Sequence, residues 1–176
     1  MRRFLLEGLI RRPLTESAPV PDRDTTDELA EALARLTRAK LGRSLSIRHV
    51  DAGSCNGCEL ELQALSNPFY DLERFGLHFV ASPRHADVLT VTGPVTHNMA
   101  EALRRTYDAM PEPKWVIAIG DCARAGGCFA GSYAIVGGVN AVVPVDIHIA
   151  GCPPDPTALL KGLLALVEQM GVGARP

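Results

Sequence analysis

Long apolar runs are absent: none approaches the ~20 residues a helix needs to cross a bilayer, so the sequence does not read as membrane-spanning. Aromatic residues are scarce, at 5%, which argues against a stacking platform for single-stranded nucleic acid. An excess of either charge is also lacking. The 18 basic and 20 acidic residues leave a formal charge of −2, without the basic footprint of a nucleic-acid binder. No G-x-x-x-x-G-K-S/T segment occurs, so nothing points to a nucleotide. The histidines His49, His78, His85, His97 and His148 are scattered, show no paired ligand spacing and are expected to be structural. No internal repeat is visible.

What is present is an ordinary globular composition, 47% hydrophobic and 22% charged, over 176 residues. A chain of this size buries roughly 70% of the surface its unfolded form exposes, so it needs no disulfides to hold a core. Its five cysteines are Cys55, Cys58, Cys122, Cys128 and Cys152. The odd count and the chain length make a disulfide framework a poor reading and metal binding or catalysis a better one. The start, Met1-Arg2-Arg3-Phe4-Leu5-Leu6, has the look of a twin-arginine export signal. However, Glu7 interrupts the apolar stretch and Arg11-Arg12 end it. An export signal requires roughly 7–15 apolar residues and a small-residue cleavage site. The chain is therefore expected in the cytoplasm, not exported, with reduced thiols.

Residues 1–44 read as an N-terminal docking arm. Residues 1–12 form a short amphipathic patch, and the Pro-rich stretch 13–24 reads as a linker. Thr25 or Thr26 is expected to cap a helix with apolar positions Leu29, Leu33, Leu36 and Leu41, stopped by Gly42. Two readings of that helix stay open: it lies on its own domain, or it docks on a partner or a membrane surface. From residue 45 to 176 the pattern changes. Strands are expected at Leu45–Val50, Trp115–Ile119 and Val142–Ile149, and His78–Ala81 and Val88–Val91 are short β-branched or apolar runs. Helical stretches are expected from Glu59 to Leu65, Asn98 to Ala109 and Pro156 to Met170, the last stopped by Gly171. This alternation predicts an α/β domain whose parallel sheet is covered by helices on both faces, of the flavodoxin-like kind.

The cysteines fall at the ends of these strands. Cys55 and Cys58 follow the first strand, Cys122 follows Trp115–Ile119, and Cys152 follows Val142–Ile149. The carboxyl ends of the strands in an open α/β sheet form the rim where ligands bind, so thiols remote in sequence are expected to converge there. Convergent thiolates select zinc or an iron–sulfur cluster. Structural zinc usually takes two close pairs of ligands, whereas one pair plus two distant singles suits the separate iron corners of a [4Fe–4S] cluster. A structural zinc module remains the alternative of another class.

The run Ile47-Arg48-His49-Val50-Asp51-Ala52-Gly53-Ser54-Cys55-Asn56-Gly57-Cys58-Glu59-Leu60-Glu61 resembles the small subunit of membrane-associated [NiFe] hydrogenases of the formate hydrogenlyase type. Gly120-Asp121-Cys122-Ala123, Val143-Pro144-Val145-Asp146 and Gly151-Cys152-Pro153-Pro154 resemble it too. That family belongs to the superfamily of the cluster-bearing B subunit of respiratory complex I. The resemblance covers residues 45–170. It implies that Cys55, Cys58, Cys122 and Cys152 ligate one proximal [4Fe–4S] cluster that exchanges electrons with a [NiFe]-type large subunit. It further implies a ferredoxin-like iron–sulfur subunit and membrane subunits as partners, with the chain peripheral on the cytoplasmic side of the cell membrane. The B subunit of complex I carries adjacent cysteines in the first motif. Here Asn56-Gly57 separate the pair, which favours the hydrogenase form over a complex I subunit.

Three further positions carry two readings each. Cys128 is expected to be an inert small residue rather than a fifth ligand. Glu59 and Glu61 follow the cysteine pair, and Glu61 matches an acidic position of the complex I relatives. These acids read either as proton or partner groups or as solvated helix-start carboxylates. Arg124, beside Cys122, reads as a group tuning the cluster or touching the large subunit, or as a plain surface charge.

Overall fold

The structure, a computed structural model, describes residues 23–170. The amphipathic patch at 1–12 and most of the Pro-rich linker lie outside the described residues, as does Gly171. A long helix α1 (Arg23–Leu41) leads into strand β1 (Leu45–Asp51) and helix α2 (Gly57–Ala64). Then come β2 (Leu77–Phe79), β3 (Val88–Thr92), β4 (Val95–Thr96) and helix α3 (His97–Asp108). Strand β5 (Trp115–Ile119) runs directly into a short helix α4 (Gly120–Ala125). Strands β6 (Ile135–Gly137) and β7 (Ile147–Ile149) and helix α5 (Pro156–Gln169) complete the order.

Five strands form one parallel sheet in the order β2-β1-β3-β5-β7. In order of appearance these strands read 2-1-3-4-5, the flavodoxin-like arrangement that the alternating pattern predicts. The registers place Ile47 beside Val88, Val88 beside Trp115, and Ile117 beside Ile147. Both faces are covered, which is why the central strands are near-continuous apolar runs. One face brings Leu45, Ile47, Ile117, Ile119 and Ile149 against Leu33 of α1 and Leu159, Leu163 and Leu166 of α5. The other brings Val50, Leu89, Val91, Val116 and Ala118 against Leu103 of α3 and Val139. Adjacent residues of β5 thus serve opposite cores, as the two-residue period of a strand requires.

Helix α1 lies on its own domain. Leu33 is fully buried in the core it shares with β1 and α5, and Lys40 donates to the carbonyl oxygens of Glu168 (2.5 Å) and Met170 (2.7 Å). Those are carbonyls at the C-terminal end of α5 and its cap that no residue within the helix can satisfy.

Four details differ from the sequence expectation. Helix α1 starts at Arg23, ahead of Thr25 and Thr26, and α2 starts at Gly57, ahead of Glu59. The Val142–Ile149 run contributes only Ile147–Ile149 to the sheet. Pro144 has no N–H to offer a ladder, and Val139–Ala141 just before the run form a 3₁₀ turn. The antiparallel pair β4–β6 is too short for any alternation to show in the sequence.

Candidate metal centre

Local chemistry sets the course of each cysteine loop. At the end of β1 the Asp51 carboxylate accepts the N–H groups of Gly53 (2.8 Å) and Ser54 (2.7 Å) and turns the chain off the sheet. The chain then crosses the end of β3 so closely that a Cβ on Gly93 would stand 2.4 Å from Ser54 N. Cys55 and Cys58 flank Asn56, whose φ of 71° starts α2 from the left-handed region. Cys122 rides on α4, straight after β5. Cys152 precedes the cap of α5, where Asp155 Oδ1 accepts the Ala158 N–H at 2.6 Å behind Pro156.

The three loops interlock. A Cβ on Gly120 would stand 2.8 Å from Cys58 Sγ and 3.4 Å from the Gly151 carbonyl oxygen. On Gly57 it would stand 3.6 Å from Cys55 Sγ and 3.8 Å from the Pro153 ring, and on Gly127 2.5 Å from Cys122 Sγ. Asp121 and Gly151 exchange two bonds: Asp121 N–H donates to Gly151 O (2.9 Å), and Gly151 N–H donates to Asp121 Oδ1 (3.1 Å). The residues preceding Cys122 and Cys152 are therefore tied directly to each other. The loops that carry Cys55, Cys58, Cys122 and Cys152 thus gather at the carboxyl end of the sheet. Cys55 and Cys152 are exposed, and Cys58 and Cys122 are half-buried.

The sulfurs act on one another. Burial pushes the Cys58 thiol up to about 12, and Glu59, Cys122, Cys55 and Cys152 each push the same way. Cys122 is raised chiefly by burial and then by Cys128 and Cys152, opposed by the Cys128 backbone N–H that bonds to its sulfur. Bare thiols packed like this resist deprotonation, and bound metal cations relieve that repulsion. Among the described residues no three His, Cys, Asp or Glu side chains close on a single point as one metal ion requires. The donors are soft, and the small residues Gly57, Gly120 and Gly127 leave the sulfurs a backbone cradle. A sulfur-rich metal group fits this setting.

Behind the first loop lies a polar cluster that the sequence reading missed. Glu59 is 8% exposed and is not a solvated carboxylate. Its Oε2 accepts the Ser54 hydroxyl at 2.5 Å and its Oε1 accepts the Thr92 hydroxyl. His49 Nε2 lies 3.4 Å from Thr92 Oγ1 and 3.8 Å from Glu59 Oε1, while Nδ1 lies 3.2 Å from Thr90 Oγ1. Burial lowers the pKa of His49 against the pull of Glu59 and Asp51. His49 and Glu59 border a cavity of about 360 Å³ that Leu62, Gln63, Ser66 and Phe79 complete. The period of β3 puts Thr90 and Thr92 on the face of His49, and that was the one sequence signal available.

The other singled-out residues separate. Glu61 is half-buried on α2, and Cys128 is exposed beside Cys122. Arg124 is exposed and lines a second cleft with Asn140, Asp146 and His148. The pKa of His148 is lowered by burial first and by Arg124 second. His78 pairs with Ser46 Oγ at 3.2 Å, and His85 and His97 are exposed. The exposed large apolar side chains among the described residues are Leu60, Phe129, Tyr133 and Val136, on the segments that follow Cys58 and Cys128. No helix among these residues is long and apolar enough to cross a membrane.

The sequence model of the family described as NADH ubiquinone oxidoreductase, 20 Kd subunit, matches residues 55–166, a span that includes all five cysteines. Among solved structures, a chain of the membrane-bound sulfane sulfur reductase, an archaeal respiratory membrane complex, is similar at 37% identity and a TM-score of 0.66. That match covers 81% of this chain and 77% of the other.

Proposed function

The chain belongs to the NADH ubiquinone oxidoreductase, 20 Kd subunit family, and from that membership we propose that it is the electron-transfer subunit of a membrane-associated oxidoreductase complex, holding one [4Fe–4S] cluster on Cys55, Cys58, Cys122 and Cys152. The observation that carries this reading is the nesting of the three cysteine loops, with Gly120 against Cys58 Sγ and Asp121 bonded to Gly151. One close pair, Cys55 and Cys58, with Cys122 and Cys152 as two distant singles suits the separate iron corners of a cluster better than the two close pairs usual for structural zinc. Such a cluster supplies one-electron exchange when bound. The work of this chain is to hold four sulfurs, to present backbone N–H groups to them, and to leave the rim open to a partner. Leu60, Phe129 and Tyr133 are apolar side chains that a covering subunit would take out of water.

That partner is a [NiFe]-type large subunit, in a hydrogenase complex of the formate hydrogenlyase kind, with a ferredoxin-like subunit at the other end of the relay. The separated pair Cys55-Asn56-Gly57-Cys58 supports this form. The chain is peripheral, on the cytoplasmic face of the membrane, with residues 1–44 toward the membrane subunits. The inner face of α1 is used by α5, and its exposed Arg35 and Arg38 remain for that contact. The similarity to a chain of the sulfane sulfur reductase favours a second reading, in which the same relay serves reduction of a sulfur compound.

The deciding experiment uses the purified complex. Iron, acid-labile sulfide and an S = 1/2 EPR signal on reduction are expected; one zinc per chain without sulfide overturns the proposal. Assaying H₂ evolution, polysulfide reduction and quinone reduction side by side then assigns the reaction. H₂ evolution supports the hydrogenase form, and either of the others in its place overturns it.

A further inference from the structure

We propose that Glu59 is a positioning residue that closes the Cys55–Cys58 loop into a ring and fastens that ring to the end of β3. The proposal rests on reading Cys55 and Cys58 as cluster ligands. Ser54 immediately precedes Cys55, and Glu59 immediately follows Cys58. The 2.5 Å bond from the Ser54 hydroxyl to Glu59 Oε2 therefore joins the two ends of the loop side chain to side chain. Ser54 Oγ also accepts the Asn56 N–H at 3.0 Å, so the same hydroxyl shapes the backbone between the two cysteines. The second carboxylate oxygen accepts from Thr92, the last residue of β3, whose carbonyl takes the Ala52 N–H at 3.0 Å. His49 backs Thr92 from β1, so the ring is anchored on two central strands.

Burying a carboxylate is costly unless it is fully hydrogen-bonded. What Glu59 contributes in return is two charge-assisted bonds that order a loop whose Cys55 and Asn56 are otherwise exposed. Glu61, two residues on and half-buried, makes no such closure and serves as the control on the same helix.

The test is made on the intact complex with Glu59→Ala, Ser54→Ala, Glu59→Gln, Glu61→Ala and Cys58→Ser. Readouts are the EPR spectrum of the reduced cluster, iron release to a strong chelator, and thermal unfolding. Glu59→Ala and Ser54→Ala are expected to release iron about tenfold faster, the order set by losing a hydrogen bond to a charged group, and to broaden the EPR spectrum. Glu59→Gln, which keeps one accepting oxygen, is expected to fall between, and Glu61→Ala to match the wild type. Ser54→Ala, which removes only a hydroxyl from a half-buried loop position, carries the test if Glu59→Ala fails to assemble. Wild-type release and spectra in both Glu59→Ala and Ser54→Ala overturn the clamp. If Cys58→Ser loses the cluster in that case, the clamp alone falls; if Cys58→Ser keeps it, the ligand assignment falls as well.

Discussion

Gly120 lies directly against Cys58: a side chain there would begin 2.8 Å from the sulfur and 3.4 Å from the carbonyl oxygen of Gly151. The two residues come from different strand ends, so the missing Cβ is what lets the loops nest. Its φ of +88° closes the position to other residues a second time.

Gly127 stands in the same relation to Cys122, at 2.5 Å from Sγ and 3.0 Å from Cα, with a φ of +56°. Gly127→Ala is therefore expected to lower the iron and sulfide content of the purified complex. Gly131→Ala shares the positive φ, at +81°, but meets nothing within 4 Å. It is expected to cost roughly 1 kcal/mol of stability through backbone strain and to keep its metal. Metal analysis of the two variants separates crowding at sulfur from strain; equal iron in both removes the role assigned to Gly127.

Cys128 and Cys152 are both exposed, yet they stand differently toward the site. Cys152 follows Gly151, which is bonded in both directions to Asp121, and its charge acts on both Cys58 and Cys122. Cys128 acts on Cys122 but is not among the groups acting on Cys58. Cys152→Ser is expected to lose the cluster and assembly, and Cys128→Ser to retain both, as read by EPR and by co-purification of the partner subunits. Equal loss in the two variants would falsify the ligand assignment.

The parallel sheet and the place of the cysteines were legible because each depends on a strong local signal. Trp115–Ile119 is a continuous apolar run ending at a glycine, and strand ends are where such sheets hold their ligands. Glu59 was not legible as a buried group. A carboxylate in the first turn of a helix has the same local sequence whether it faces water or the end of β3, and tertiary contact with Thr92 decides between them. The β4–β6 pair escaped for a related reason, since strands of two and three residues carry no period. Whether α1 lies on its own domain was equally hidden, because Leu29, Leu33 and Leu36 make the same stripe for either surface.

His49 gives the fold a pH dependence of definite sign. Burial pushes its imidazole below the usual value, and His148 is lowered too, by burial and then by Arg124. In the unfolded chain both titrate near about 6.5. Above that pH both states are neutral and neither residue affects stability. As pH falls below it, the unfolded chain takes up protons that the folded chain refuses, so stability drops until the folded values are passed. His49→Gln removes one of these groups. Its urea midpoint is expected to fall less steeply than that of the wild type below about pH 6.5. Parallel slopes for the two proteins would show that His49 is protonated as readily in the fold as outside it.

Helix α1 supplies the last test, because its packing decides whether the domain starts at β1 or before it. Leu33 is fully buried in the core that α1 shares with α5, and Lys40 holds the carbonyls at the end of α5. If α1 belongs to the core, Leu33→Ala leaves a cavity and costs about 2–5 kcal/mol in chemical unfolding. Arg35→Ala changes an exposed residue whose ion pair with Glu31 is 3.5 Å long and solvent-facing. It is expected to stay within about 0.5 kcal/mol of the wild type. The pair of variants separates packing from charge on one helix. A Leu33→Ala protein as stable as Arg35→Ala would mean that α1 leaves the sheet at little cost, which returns this helix to the role of an arm that docks elsewhere.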